Sequence, residues 1–171
     1  MDFPKTFPAA IIAVLLLSGC TDSNFPPMAD ESAATPESIA QVVSGNNEFA
    51  FELYSKLREK HGNENVLFSP YSISTALAIA HEGAAGTTSE QMLGTLNLPE
   101  DGMARNSSFA SIYNSLNRKG KQYELYTANA LWAQKDYPFS EEYVALVKKY
   151  FGASAQNLDF INEAEKSAQA I

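Results

Sequence analysis

The sequence of 171 residues contains a single cysteine and only two histidines. One cysteine excludes an internal disulfide and a thiolate metal cluster. His61 and His81 lack the spacing of a helical zinc site, and each lies at a predicted helix end, where a cation favours the helix dipole. No nucleophile-elbow or phosphate-loop motif occurs. The sequence therefore predicts a protein that is not an enzyme and that uses no metal or cofactor.

Positive charge is also scarce, since 20 Asp and Glu oppose 12 Lys and Arg and give a net charge of −8. A chain this acidic repels a phosphate backbone, so nucleic-acid binding is not expected. Hydrophobic residues make up 45% of the chain, which excludes a disordered tail, and 9 glycines and 8 prolines are too few for a fibrous protein. The length fits one domain or part of a larger one.

No hydrophobic run reaches the roughly 20 residues that span a bilayer. The apolar run at residues 11–17 instead suits the core of a secretory signal, and Leu-Ser-Gly-Cys at residues 17–20 resembles a bacterial lipobox. Residues 1–20 are therefore predicted to be a lipoprotein signal peptide, with Cys20 acylated and the protein anchored to a membrane outside the cytoplasm. An ordinary signal peptide with an incidental cysteine is the alternative. Residues 21–45 are expected to form a flexible tether up to Thr35, followed by the lead-in to a long helix.

Apolar periodicity and end signals predict about six helices. Thr35-Pro36 and Ser69-Pro70 each combine an N-cap with a proline at the first helical position. Residues 44–46, Ser-Gly-Asn, are a potential interruption of the first helix, and residues 88–91 fit a capping box. Residues 65–68, 123–133 and 154–160 are predicted to be extended. A final helix opens near residue 162 without a stop signal before Ile171, which is typical of a truncated chain.

Several blocks in series resemble the serpin family. They are Asn-Val-Leu-Phe-Ser-Pro-Tyr-Ser-Ile-Ser-Thr-Ala-Leu-Ala at 65–78, Gly-Ala-Ala-Gly-Thr-Thr at 83–88 and Ala-Asn-Ala-Leu-Trp-Ala-Gln-Lys at 128–135. The motif Phe-Ser-Pro-x-Ser-Ile-Ser in the first block is quite specific, and the resemblance runs in order over residues 46–171. It implies an α+β fold of three sheets and eight or nine helices, of which this chain holds the N-terminal part.

The resemblance assigns each predicted element a place in that fold. Helices A to E are expected at 46–60, 70–82, 88–96, 103–117 and 140–151, with the start of helix F from residue 162. Two strands of the large sheet A are expected at 123–135 and 154–160, and one short strand of sheet B at 65–68.

Serpins inhibit proteases by inserting a cleaved reactive-centre loop into sheet A. The resemblance places Ser69 and Ser72 in the shutter, beneath the point where that sheet opens, although Ser69 is equally explained as the N-cap before Pro70. The reactive-centre loop is absent from these 171 residues. The expected function is therefore that of a serine-type endopeptidase inhibitor in the full-length protein, monomeric when complete, with an extracellular serine or cysteine protease as its partner.

Two alternatives remain open. One is a non-inhibitory, extracellular binding protein with the serpin fold. The other is a secreted hydrolase that uses one of the serines, which the positions of the two histidines disfavour.

Overall fold

The computed structural model describes residues 27–118, 120–123 and 125–171, so the predicted signal peptide and Cys20 lie outside the described residues. Six helices and two strands occur in these ranges, in an order that confirms the predicted α+β class. The elements are α1 (Pro36–His61), α2 (Pro70–His81), α3 (Gly86–Leu96), α4 (Gly102–Leu116), β1 (Ala130–Gln134), α5 (Glu141–Phe151), β2 (Ser154–Leu158) and α6 (Ala164–Ala170).

The helix starts are set largely by capping side chains. The Thr35 hydroxyl accepts a hydrogen bond from the Ser38 amide, and Ser140 caps α5 through the Tyr143 amide. The predicted capping box at residues 88–91 is wrong, because α3 begins two residues earlier at Gly86 and Thr88 already lies in its first turn. Its N-cap, Ala85, offers no side-chain acceptor.

Helix α1 runs without interruption through residues 44–46. Gly45 is buried, and a Cβ atom at this position would lie 2.0 Å from the carbonyl oxygen of Asn97, just past the end of α3. The glycine therefore brings α1 close to the turn after α3, and it does not break the helix. The predicted interruption is wrong because the surrounding packing compensates for the low helix propensity of glycine.

Strands β1 and β2 form a parallel pair, with Ala130 opposite Ser154 and Gln134 opposite Leu158. Helix α5 is the crossover between them, as parallel pairing requires. Both strands are shorter than predicted, because a strand extends only as far as a neighbour supplies its hydrogen-bond partners. For the same reason residues 65–68 form no strand in the described structure, where the Leu67 side chain is fully exposed.

The hydrophobic core lies between the first five helices. Its fully buried side chains include Val42, Leu96, Phe109, Val147 and Phe151, and the rings of Phe109 and Phe151 have centroids 5.5 Å apart. Each such side chain contributes about 1.5–3 kcal/mol on burial. Since α5 carries two of these residues and leads directly into β2, the core also fixes the position of the strand pair.

The chain before α1 is attached to the helices from Ala29 onwards. The Ala29 amide donates to Asn114 Oδ1 at 2.8 Å, and Asn114 Nδ2 donates back to the Ala29 carbonyl at 2.9 Å. The Asp30 amide donates to the Lys149 carbonyl at 2.8 Å, and the Asp30 carboxylate lies 3.2 Å from Lys149 Nζ. Residues 28–31, hereafter the strap, thus join α4 to α5, which corrects the expectation of a flexible tether up to Thr35.

Candidate functional site

Ser69 and Ser72, the two predicted shutter residues, lie together at the start of α2. The Ser69 hydroxyl accepts a hydrogen bond from the Ser72 amide at 3.3 Å and lies 2.8 Å from the Ser72 hydroxyl. Both residues are exposed in the described structure. Ser69 therefore acts as an N-cap and at the same time has its hydroxyl paired with that of Ser72. Their shutter role stays a prediction.

Helix α2 holds this pair of serines in place through the buried residues that follow them. Ser74, Thr75, Ala78 and Ile79 are buried, and α2 packs against α1, α3 and α5. The hydroxyl group of Tyr143 in α5 donates to the Ile79 carbonyl at 3.0 Å. The serines therefore project from a helix that is anchored on several sides.

The strand pair offers main-chain groups for a further strand. Within the described ranges neither outer edge of the β1–β2 pair is bonded to another strand. The Ser154 amide bonds to the Asn129 carbonyl and the Lys135 amide to the Leu158 carbonyl, so the N–H groups of Ala130 and Ala155 point to the two outer edges. An edge of this kind accepts an added strand through backbone hydrogen bonds.

A buried charged cluster joins the end of α2 to α3 and α4. Arg105 Nη2 donates to Glu82 Oε1 at 2.9 Å, and Arg105 Nη1 donates to the carbonyl of Pro99 at 2.7 Å. His81 Nε2 lies 2.8 Å from Ser89 Oγ, and His81 Nδ1 lies 3.3 Å from Glu82 Oε1. The side chains of Arg105 and Glu82 are only 4% and 10% exposed. Burial, and secondly the charge of Glu82, raise the pKa of the neighbouring Tyr143 phenol.

Sequence reasoning missed this cluster, because it treated His81 only as the end of a helix. No motif spacing links it to Arg105, which lies 24 residues further on; only the buried environment reveals the contact. The distance between Ser89 and His81 suits a nucleophile and its base. However, Arg105 Nη2 bonds to the Glu82 carboxylate and lies 3.5 Å from His81 Nδ1, the nitrogen that an orienting acid would face. The cluster is therefore an ion-pair network, and the hydrolase alternative stays disfavoured.

Helices long and apolar enough to cross a bilayer do not occur among the described residues. The same residues contain no group of three or more His, Cys, Asp or Glu side chains that could hold a metal ion.

The family model described as "Serpin (serine protease inhibitor)" matches residues 44–171. The chain belongs to the serpin family. It is 38% identical to an uncharacterised serpin-like protein of Methanosarcina mazei, over 95% of this chain and 40% of that protein. It is 36% identical to leukocyte elastase inhibitor A of Mus musculus, over 78% of this chain and 35% of that protein.

Solved structures agree with this family assignment. Human thyroxine-binding globulin superposes with a TM-score of 0.68 at 27% identity, covering 78% of this chain and 37% of that one. Emu ovalbumin superposes with a TM-score of 0.71 at 24% identity and so supports the fold alone. The chain spans about 40% of the length of the curated relatives it matches.

Proposed function

We propose that a protein in which this chain is continued to the length of its relatives is a serine-type endopeptidase inhibitor acting outside the cytoplasm. The observation that carries the proposal is the match of residues 44–171 to the serpin family, within which α5 positions the parallel pair β1–β2. In serpins this sheet receives the cleaved reactive-centre loop as an added strand. The similarity to a relative named as an elastase inhibitor supports the same function.

Ser69 and Ser72 have a role that fits this mechanism. Sheet opening requires hydrogen bonds beneath the strands to break and reform. Two hydroxyl groups 2.8 Å apart can exchange partners, because each is both a donor and an acceptor. Each hydroxyl can therefore keep a partner while neighbouring hydrogen bonds change.

The inhibitor proposal is tested with the continued chain. Incubation with serine proteases is expected to give a complex that survives SDS, since the protease is trapped as an acyl-enzyme. The double variant Ser69→Ala/Ser72→Ala should give less complex and more cleaved, uncomplexed inhibitor. Ser55→Ala, an exposed helical serine on α1, is the matched control and should behave as the parent does. Cleavage without any complex, across the whole protease panel, would contradict the proposal.

That same result would favour the second candidate, a non-inhibitory binding protein. The structural similarity to thyroxine-binding globulin at 27% identity supports this candidate. SDS gel electrophoresis therefore distinguishes the two functions. An inhibitor gives a stable complex with the protease, whereas a binding protein is cleaved as an ordinary substrate.

We further propose that Cys20 is acylated and anchors the protein to the outer face of a membrane. The support is the position of the sole cysteine, directly after an apolar run and a lipobox-like Leu-Ser-Gly. Metabolic labelling with a fatty acid should mark the native chain and not Cys20→Ala. The variant should also leave the membrane fraction, and unchanged membrane association would count against the anchor.

A further inference from the structure

The strap determines where the chain leaves the body of the protein. It lies on the last turns of α4 and α5, against Asn114 and Lys149. Pro27, just before the strap, and Met28, its first residue, are both exposed. Seven residues lead from Cys20 to Pro27, and even when fully extended they reach at most about 24 Å. An anchor at Cys20 would therefore hold the strap end of the molecule close to the bilayer.

Several Lys and Arg residues lie near the strap. Residues 118–121 and 148–149 supply five of the 12 Lys and Arg in the chain, and neither segment contains an acid. Lys121 Nζ donates to the carbonyl of Ser115, the neighbour of Asn114, while Lys149 pairs with Asp30 in the strap. Lys121 thus lies next to the α4 residue that holds the strap, and Lys149 pairs with the strap itself. The described cations of this region, Arg118, Lys121, Lys148 and Lys149, are hereafter the basic pole.

We propose that the basic pole docks on the anionic phospholipid surface of the membrane that carries the protein. This inference rests on the proposed anchor at Cys20. Cations within about 8 Å of an anionic bilayer are attracted to it at physiological salt, whereas the rest of this chain, which is more negative than the net charge of −8 of the whole, is repelled. The molecule is then oriented with the basic pole towards the lipid.

Docking also supplies what an acyl chain lacks. An acyl group on Cys20 does not by itself orient the molecule, and a basic patch beside a lipid anchor adds to its attachment. Because the strap fixes the linker on this face, the acyl group and the cations reach the bilayer together. Their binding contributions therefore reinforce each other.

The test measures vesicle binding of the full chain carrying Cys20→Ala, so that acylation plays no part. Flotation is compared between neutral phosphatidylcholine vesicles and vesicles with 30% phosphatidylglycerol. The apolar residues of the predicted signal peptide contribute to binding of both kinds of vesicle. The ratio of the two partition coefficients therefore reports the electrostatic contact. Arg118→Gln/Lys121→Gln/Lys148→Gln removes three cations of the basic pole, and Lys149 is kept because it holds the strap. Lys56→Gln/Arg58→Gln/Lys60→Gln removes three cations from α1 and is the charge-matched control.

The anionic vesicles are expected to bind the parent at least about tenfold more strongly, and 0.5 M salt should abolish this preference. The variant of the basic pole should lose the preference, while the α1 variant should keep it. Equal binding to both vesicles, equal loss in both triple variants, or binding to soluble polyphosphate without binding to vesicles would each overturn the proposal. Failure of the anchor is detected separately, as missing fatty-acid label on the native chain.

Discussion

Gly45 is the point where helix α1 passes the carbonyl oxygen of Asn97. Gly45→Ala would place a methyl group 2.0 Å from that oxygen, so α1 and the turn after α3 must separate. We expect a loss of about 1–3 kcal/mol in the free energy of unfolding, as overpacking usually costs. Urea denaturation followed by circular dichroism at 222 nm measures it.

Gly94→Ala in α3 is the matched control, because nothing lies within 4 Å of its added methyl group. That variant should be neutral or more stable by up to about 1 kcal/mol, through helix propensity alone. Equal effects of the two substitutions would show that the close approach at Gly45 does not matter.

Arg105 bonds to the buried Glu82 carboxylate through Nη2, at 2.9 Å. Arg105→Met keeps much of the side-chain volume and leaves that charge without its partner. Breaking a buried pair in this way typically costs about 3–5 kcal/mol. The double variant Arg105→Met/Glu82→Gln should recover a large part of the loss in the same urea experiment. A double variant as unstable as Arg105→Met alone would mean that packing, and not the charge, explains the effect.

Gly45 and Arg105 show which features of single residues the sequence does not predict. Caps such as Thr35 and Ser140 act within three residues, so local patterns place them correctly. Gly45 and Arg105 depend on contacts with residues far along the chain. No local pattern encodes such contacts, so the sequence alone predicts a break at the helical glycine.

At the scale of elements, the strap depends on pH through Asp30. Hydrogen bonds from Ser32, and then the one from Lys149, lower the pKa of this carboxyl to about 2. A depressed pKa in the folded state means that the strap is stabilised by ionised Asp30 above pH 4. This contribution is lost as the pH falls from about 4 to about 2.

Carbon-13 NMR of the Asp30 carboxyl group should therefore show a titration midpoint well below 3.8. The Asp30 amide, which donates to the Lys149 carbonyl, should lose its protection from hydrogen exchange over the same pH range. Asp30→Asn should remove that pH dependence. A midpoint at the ordinary value of 3.8 would show that the carboxylate is not held by the strap contacts.

The elements also differ in how far the sequence determines them. Most helix ends are predicted within about two residues, since capping and periodicity are local, but helix A was expected from residue 46 and α1 begins at Pro36. The strands are predicted less well: 65–68 was predicted as a strand but forms none, and 123–135 shortens to Ala130–Gln134. Strand bounds depend on which neighbour is present to complete the ladder.

For the whole molecule, the resemblance of sequence blocks to serpins predicts the fold class, which is confirmed, and the order of the helices and of the strands β1 and β2. It did not predict the strap or the cluster around Arg105. These features lie outside the quoted blocks or between them. The arrangement of charge at one end of the molecule likewise became visible only once the strap joined α4 to α5.

Among the described residues, the outer edges of the β1–β2 pair have no strand partner, so we expect copies of the chain at this length to associate with one another. Exposed edges recruit other strands, and large apolar side chains such as Phe51 and Ile161 are 77% and 78% exposed. Light scattering should show particle size growing with concentration. The helical signal at 222 nm should persist on dilution, because the core between the helices does not involve the edges.

Proline substitution tests whether the edges cause this association. The N–H groups of Ala130 and Ala155 point outward, so Ala130→Pro/Ala155→Pro removes two edge donors without breaking a bond between β1 and β2. That variant should stay smaller at the same concentration. Ala130→Val/Ala155→Val keeps both donors and raises strand propensity, so it should associate at least as readily as the parent. If both variants associate alike, the exposed apolar side chains, and not the backbone edges, hold the particles together.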